Sequence, residues 1–182
     1  YTTLFRSQKL IAVVKANAYG HGAAPVATHI EDTVDAFAVA FTEEAVELRE
    51  SGIAAPVLVL EGPHKPSELS LSSKLDLWPV LHQAEQLDWC TKLENPLKHA
   101  WIKVDTGMHR LGFPPSQLAD VKQRLGEAQT QNMTIMSHLA SAESPESDTT
   151  QGQIRQWNSH CADWSDTASL HNSAATVHGI TG

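Results

Sequence analysis

Lys15 stands where a strand-like apolar run, Leu10 to Val14, comes to an end, and Ala16-Asn17-Ala18-Tyr19-Gly20-His21-Gly22 follows at once. A cation at a strand terminus is costly to bury, so such a lysine is exposed, paired or deprotonated for chemistry. A second set of groups lies in the run from Trp101 to Phe113. Strand alternation puts Trp101, Lys103 and Asp105 on one face and Ile102 and Val104 on the other. If the aliphatic pair packs against helices, Lys103 points the opposite way, and a buried ammonium must be neutralised, paired or modified. Arg110 follows seven residues later with a planar donor fork suited to a carboxylate. His138 closes a further strand, where a lone histidine is more often structural than catalytic. In His171-Asn172-Ser173-Ala174-Ala175-Thr176, hydroxyl and backbone donors can bind a phosphate, with a plain capping turn as the alternative.

These groups need a scaffold that brings strand ends together. Strands are expected near Leu10–Val14, Ala36–Ala40, Val57–Leu60, Leu77–Leu81, Ala100–Val104, Thr134–His138 and Ser169–Asn172, with helical stretches between them. That alternation implies βα units around a parallel sheet. One helix is readable in detail. Thr42 can cap it, Glu43 and Glu44 suit its positive end, Ala45, Val46 and Leu48 supply apolar contacts, and Gly52 ends it. Ile154, Trp157, Cys161 and Trp164 fall at helical spacing and read as a core face. The polar stretches Gly62–Ser73 and Ser141–Gly152 read as loops, the second able to border a site. Seven strands are one short of a (β/α)8 barrel, the TIM-barrel type, whose usual size is roughly 250 residues. An open barrel would expose a sheet edge, so either the fold closes differently or the chain is cut.

Bulk properties narrow the partners. The chain of 182 residues is 41% hydrophobic and 19% charged, which is ordinary for a globular domain. A formal net charge of -8 argues against nucleic acid or an anionic membrane surface as partner. The ten histidines are scattered, without metal-ligand spacing, so no metal is expected. Cys90 and Cys161 stand far apart, as reduced thiols in a cytoplasmic protein would, and no apolar run approaches a membrane span.

The run Val13-Val14-Lys15-Ala16-Asn17-Ala18-Tyr19-Gly20-His21-Gly22 resembles the cofactor-lysine motif of alanine racemase, a pyridoxal 5'-phosphate enzyme. Three more motifs, Asp105-Thr106-Gly107-Met108-His109-Arg110-Leu111-Gly112, Ser137-His138-Leu139-Ala140 and Asn172-Ser173-Ala174-Ala175, resemble the same family in the same order, at the ends of strands five, six and seven. The resemblance favours the cut, a barrel domain over residues 1–182 truncated at both ends. It implies that Lys15 is the Schiff-base lysine and one of two bases acting on opposite faces of the substrate, the one serving D-alanine. It implies that Lys103 is carbamylated (N6-carboxylysine) and holds Arg110, which approaches the cofactor's phenolic oxygen and the substrate carboxylate. His138 is implied to hydrogen-bond the catalytic tyrosine. Tyr19 and Ser173 are expected to contact the phosphate, with Asn172 beside them. Leu139 replaces the family's usual aromatic residue, and Ser169 stands where many relatives carry a supporting histidine.

The implied activity is racemisation of L- and D-alanine by a homodimer whose partner subunit supplies the opposite base, a tyrosine of a C-terminal β-domain. These residues alone are then expected to bind pyridoxal phosphate weakly and not to racemise alanine. D-alanine supply for peptidoglycan and alanine catabolism stay open as the role. The rival reading is a non-catalytic pyridoxal-phosphate-binding protein of cofactor homeostasis. A third is another barrel enzyme of the same cofactor class, a decarboxylase or aldolase.

Overall fold

The computed structural model describes residues 8–161, 164–165 and 167–180. The elements in chain order are β1 (Ile11–Val13), a short turn α1 (Lys15–Tyr19), α2 (Ala23–Ile30), β2 (Ala36–Val39), α3 (Thr42–Glu50), β3 (Val57–Val59), α4 (Pro66–Leu75), β4 (Leu77–Leu81) and α5 (Ala84–Cys90). There follow β5 (His99–Lys103), α6 (Leu118–Glu127), β6 (Asn132–Met136), α7 (Asp148–His160), β7 (Thr167–Ser169) and α8 (Ser173–Val177). The described residues fall into two compact units, one within Tyr1–Val80 and Leu93–Lys98, the other within Leu81–Lys92 and His99–Gly182.

In the first unit β1, β2, β3 and β4 pair in sequence order, all parallel, with Ile11 opposite Ala36, Phe37 opposite Val57 and Val57 opposite Leu77. Every residue of β2 and β3 is buried, as expected for strands covered on both faces. Phe37, Val39, Val57 and Val59 form one core with Val14, Ala27, Ala45 and Leu48, so β1–β3, α2 and α3 share a single apolar layer. Arg49 closes the far ends of these elements. Its guanidinium donates to the carbonyls of Leu75, Ile53, Ala55 and Asp76 at 2.7–3.3 Å.

In the second unit β5, β6 and β7 are again parallel, with Trp101 opposite Thr134, Lys103 opposite Met136 and Met136 opposite Ser169. The stacked rings of His99 and Trp101, 6.2 Å apart, mark the strand face that Lys103 shares. Leu118, Val121 and Leu125 bury one face of α6. The Trp164 indole N–H donates to the Leu118 carbonyl at 3.1 Å, and Lys122 Nζ sits 5.4 Å over its ring. Cys90 and Cys161 are both buried free thiols, pushed by desolvation up to about 12 and about 11.

Several expectations need correction. The seventh strand is Thr167–Ser169 rather than Ser169–Asn172, because Asn172 already caps α8. The stretch Gly62–Ser73 is not all loop: α4 begins at Pro66, whose fixed φ suits a first helical turn. Similarly, α7 begins at Asp148, inside the stretch read as loop to Gly152, with Ser147 as its cap. Thr42 is the first residue of α3 rather than its cap, which is Phe41. On α7 the buried positions are Thr150, Gln153 and Trp157, so the inward stripe passes through Gln153 and leaves Ile154 at its margin. No helix among the described residues is long and apolar enough to cross a membrane.

Candidate active site

Lys15 follows β1 directly, but the alternation read from the sequence stops one residue earlier. Val14 leaves extended geometry (φ -119°, ψ 20°) while staying buried in the core, so Ile11 and Val13 share a face and Lys15 opens a turn. Ala16, Asn17, Ala18 and Tyr19 then take φ of 52–54°, four consecutive left-handed residues before Gly20 at φ 88°. Each costs an L-residue roughly 1–2 kcal/mol, so the turn persists only where surrounding bonds over-determine it. Those bonds are present. The Ala18 N–H donates to the Val14 carbonyl at 2.8 Å, the Gly22 N–H to the Asn17 carbonyl at 2.9 Å, and the Ala23 N–H to Asn17 Oδ1 at 2.7 Å. The His21 ring closes the turn on the Ala18 carbonyl at 2.9 Å. From outside it, Glu44 accepts the Ala16 N–H at 2.6 Å. The turn buries Ala18 and leaves the Tyr19 side chain 63% exposed.

The second unit gathers the other motifs. Asp105 Oδ1 accepts the N–H groups of Gly107 and His109 at 2.9 and 3.0 Å, and Oδ2 lies 3.1 Å from His109 Nδ1. Partial burial would raise the Asp105 carboxyl. The donors from His109 and Gly107 outweigh it, and its pKa lies below the ordinary 3.8. The return of this turn is tight: Asp105 N–H donates to the Phe113 carbonyl and Phe113 N–H to the Lys103 carbonyl, at 3.0 and 2.8 Å. A Cβ on Gly112 would come within 2.6 Å of the Asp105 nitrogen, which explains the glycine. Thr106 Oγ1 meets Ser137 Oγ at 2.8 Å, and Ser137 also donates to the Val104 carbonyl. Gln153 spans both motifs, donating to the His138 carbonyl at 2.8 Å and to Thr106 Oγ1 at 3.3 Å while accepting the Ala140 N–H. Asn172 ties in the last motif. Its Oδ1 accepts the Ala175 N–H at 2.9 Å and its Nδ2 donates to the Leu139 carbonyl at 3.2 Å.

The structure thus joins the motifs of Arg110, His138 and Ser173 within one unit and places Lys15 and Tyr19 together in the other. Lys103 is 8% exposed, a buried lysine as the sequence suggested. Arg110 lies in the exposed turn and makes no hydrogen bond or ion pair among the described residues, so the unmodified Lys103 amine does not hold it. Asn172 is committed to backbone at both ends of its amide, which favours its capping role. By contrast Lys15, Tyr19, Arg110 and Ser173 have no protein partner among the described residues.

Two positions went unread in the sequence. Glu44 registered only as a charge at a helix start, although a glutamate three residues past a strand–helix junction is where a side chain reaches back to loop N–H groups. Gln153 carries a weaker signal, an amide three residues after Thr150 and four before Trp157 on the buried face of α7.

Comparison with known proteins agrees with this arrangement. The family profile described as "Alanine racemase, N-terminal domain" matches residues 2–181. The chain is 44% identical over 172 residues to an alanine racemase of Pseudomonas entomophila (strain L48), covering 93% of this chain and 48% of that protein. A catabolic alanine racemase of Pseudomonas putida matches at the same identity, with the same coverage of both chains. The solved biosynthetic alanine racemase of Pseudomonas aeruginosa superposes with a TM-score of 0.89 at 39% identity, covering 96% of this chain and 49% of that one. The chain therefore spans about half the length of the relatives it matches. Its seven parallel strands and intervening helices are those of the barrel-type domain in these relatives. The family works with pyridoxal phosphate. Profile, relatives and superposition coincide over nearly every residue, and the chain belongs to the alanine racemase family through that family's N-terminal domain.

Proposed function

We propose that residues 1–182 form the pyridoxal-phosphate-binding domain of an enzyme that interconverts L- and D-alanine by a two-base mechanism, with Lys15 as covalent anchor and one base. The observation that carries this reading is the contrast in side-chain commitment. Asp105, Thr106, Ser137, Gln153 and Asn172 are engaged with protein, whereas the amine, phenol, guanidinium and hydroxyl of Lys15, Tyr19, Arg110 and Ser173 have no partner among the described residues. An amine for an aldehyde, hydroxyls for a phosphate and a guanidinium for a carboxylate are the donor set that this cofactor and an amino acid require. The residues present fit the group.

When bound, pyridoxal phosphate supplies an electron sink that stabilises charge left at the substrate's Cα. Lys15 Nζ would hold the group, and its amine, when free, would take or return the substrate's Cα proton on one face. Tyr19 Oη and Ser173 Oγ would donate to its phosphate. Arg110 orients the substrate carboxylate. His138 acts through the second base, a tyrosine contributed by the partner subunit of a homodimer. Lys103 takes up carbon dioxide on its neutral amine, releasing a proton, and the resulting carbamate gives Arg110 the anion it lacks here. The cytoplasm is the compartment this chemistry suits.

The test loads the protein with pyridoxal phosphate, reduces it with borohydride and maps the labelled peptide. Label on Lys15 supports the reading, and label on Lys9, Lys103 or another lysine overturns it. In the polypeptide as its gene encodes it, Lys15→Ala should lower racemisation of either enantiomer by at least about 10²–10⁴-fold. Cofactor binding without any racemisation by the parent protein would instead favour the homeostasis protein. Intact mass in bicarbonate buffer tests the carbamate: an unmodified Lys103 together with a harmless Lys103→Ala would remove it.

A further inference from the structure

Three helices of the first half of the chain begin in the same way, with an acidic or amide side chain at the third helical position turned back onto the preceding loop. Glu68 of α4 accepts the His64 N–H at 2.9 Å, and its other oxygen lies 3.4 Å from Lys65 Nζ. Gln86 of α5 accepts the N–H groups of His82 and Gln83 through Oε1 at 2.7 and 3.3 Å. Glu44 of α3 does the same through Oε2, to Ala40 and Phe41 at 2.7 and 3.0 Å. Its other oxygen reaches beyond its own helix and the loop before it. Oε1 crosses to the neighbouring strand end and accepts the Ala16 N–H at 2.6 Å, across 28 residues of sequence.

Ala16 is the residue after Lys15 and the first of the four left-handed residues. Its N–H belongs to the peptide that starts at the Lys15 carbonyl, so fixing that N–H fixes the plane from which the lysine side chain departs. We infer that Glu44 is a positioning residue for Lys15: one carboxylate caps α3 and, through its second oxygen, sets the direction in which the amine approaches cofactor and substrate. The inference rests on the proposal that Lys15 is the covalent anchor. A carboxylate is the group that can do both tasks, since it accepts at both oxygens, whereas an amide accepts at one and presents N–H donors at the other.

Glu44→Gln exploits that difference. The amide can keep the α3 cap while opposing the Ala16 N–H with its own donors. Glu68→Gln is the matched control, a capping carboxylate changed in the same way at the next helix. Both variants are made in the polypeptide as its gene encodes it and loaded with pyridoxal phosphate. Thermal midpoint, kcat, KM and circular dichroism in the cofactor's visible band, normalised to bound cofactor, are then measured. Glu44→Gln is expected to lower kcat by about 10- to 100-fold through misorientation, with KM within about threefold of the parent. The dichroic band, which reports the tilt of the lysine-bound ring, should change in amplitude or sign. Glu68→Gln should leave the dichroic band and kcat as they are at a comparable thermal midpoint. Identical behaviour of the two variants, or an unchanged band in Glu44→Gln, would overturn the inference and reduce Glu44 to a cap. If Glu44→Gln does not fold, Glu44→Asp, which keeps the charge but loses reach, is judged by the same criteria. Should borohydride label another lysine, the functional proposal falls first; label on Lys15 with an indifferent Glu44 removes the positioning role alone.

Discussion

Besides its local bonds, the turn from Ala16 to Gly20 is held from a distance, by a carboxylate 28 residues further along the chain. The carboxylate that holds the turn from Thr106 to Gly112 is local, Asp105 immediately before it, through N–H groups two and four residues on. Thr106 alone is also tied to Ser137 and Gln153. A basic side chain without a partner among the described residues goes with each, Lys15 immediately before the first and Arg110 within the second. The distant clasp makes the lysine's geometry conditional on β2 and α3 being in place, so the turn is correct only in a folded unit. The local clasp belongs to its own segment and can survive some loosening around it. The stiffer device stands beside the group that must meet a reacting atom. The locally clasped one presents a guanidinium whose forked donors tolerate some displacement.

Substitutions can break this contrast at defined points. The largest effect is expected for Gly112→Ala, where a Cβ meets the Asp105 nitrogen at 2.6 Å and the Val104 carbonyl carbon at 2.8 Å with φ at 132°. Overpacking and backbone strain together should cost more than about 3 kcal/mol in chemical denaturation. Gly20→Ala, in the other turn, meets nothing within 4 Å at φ 88° and should cost only about 1–2 kcal/mol. A larger loss there than at Gly112 would reverse the comparison. Asp105→Ala removes the acceptor of two N–H groups and of the His109 ring, at an expected cost of about 2 kcal/mol.

Acid should unlock the local clasp. The Asp105 value is depressed on folding, so its stabilisation is complete above about pH 5 and fades as pH falls through the unfolded value near 3.9 and below. Urea midpoints between pH 6 and pH 3 check this, with Asp105→Asn as the variant whose slope should flatten. The smallest change is expected from His109→Ala. That ring is 83% exposed, and its loss should alter stability by no more than about 0.5 kcal/mol.

The scaffold was largely legible because strand ends carry strong local signals. Apolar runs such as Phe37-Ala38-Val39 and Val57-Leu58-Val59 are short, bounded by turn residues and buried on both faces. β7 was misplaced by two residues because Thr167-Ala168-Ser169 is neither apolar nor β-branched throughout, and its register is fixed by pairing with Thr134–Met136. α4 was hidden in Ser-Glu-Leu-Ser-Leu-Ser-Ser, whose composition suits a loop until Leu69 and Ser72 are buried on one side. The candidate site divides along the same line. Lys15 and Lys103 were visible because charge at a strand end is unusual in itself, and Arg110 because its motif resembles that of the family. Glu44 and Gln153 were not, since each acts through backbone groups of another element, and spacing along the chain carries no trace of such a partner.

The four left-handed residues before Gly20 have one more consequence, concerning stereochemistry. A backbone turn of that hand is the mirror of the one L-residues prefer, and is the natural choice of their enantiomers. Were Ala16 and Ala18 installed as D-alanine by chemical ligation, the segment should gain roughly 1–2 kcal/mol at each position with every hydrogen bond retained. The segment beside Lys15 would then suit the enantiomer that its own chain is made without, and that its family is named for making.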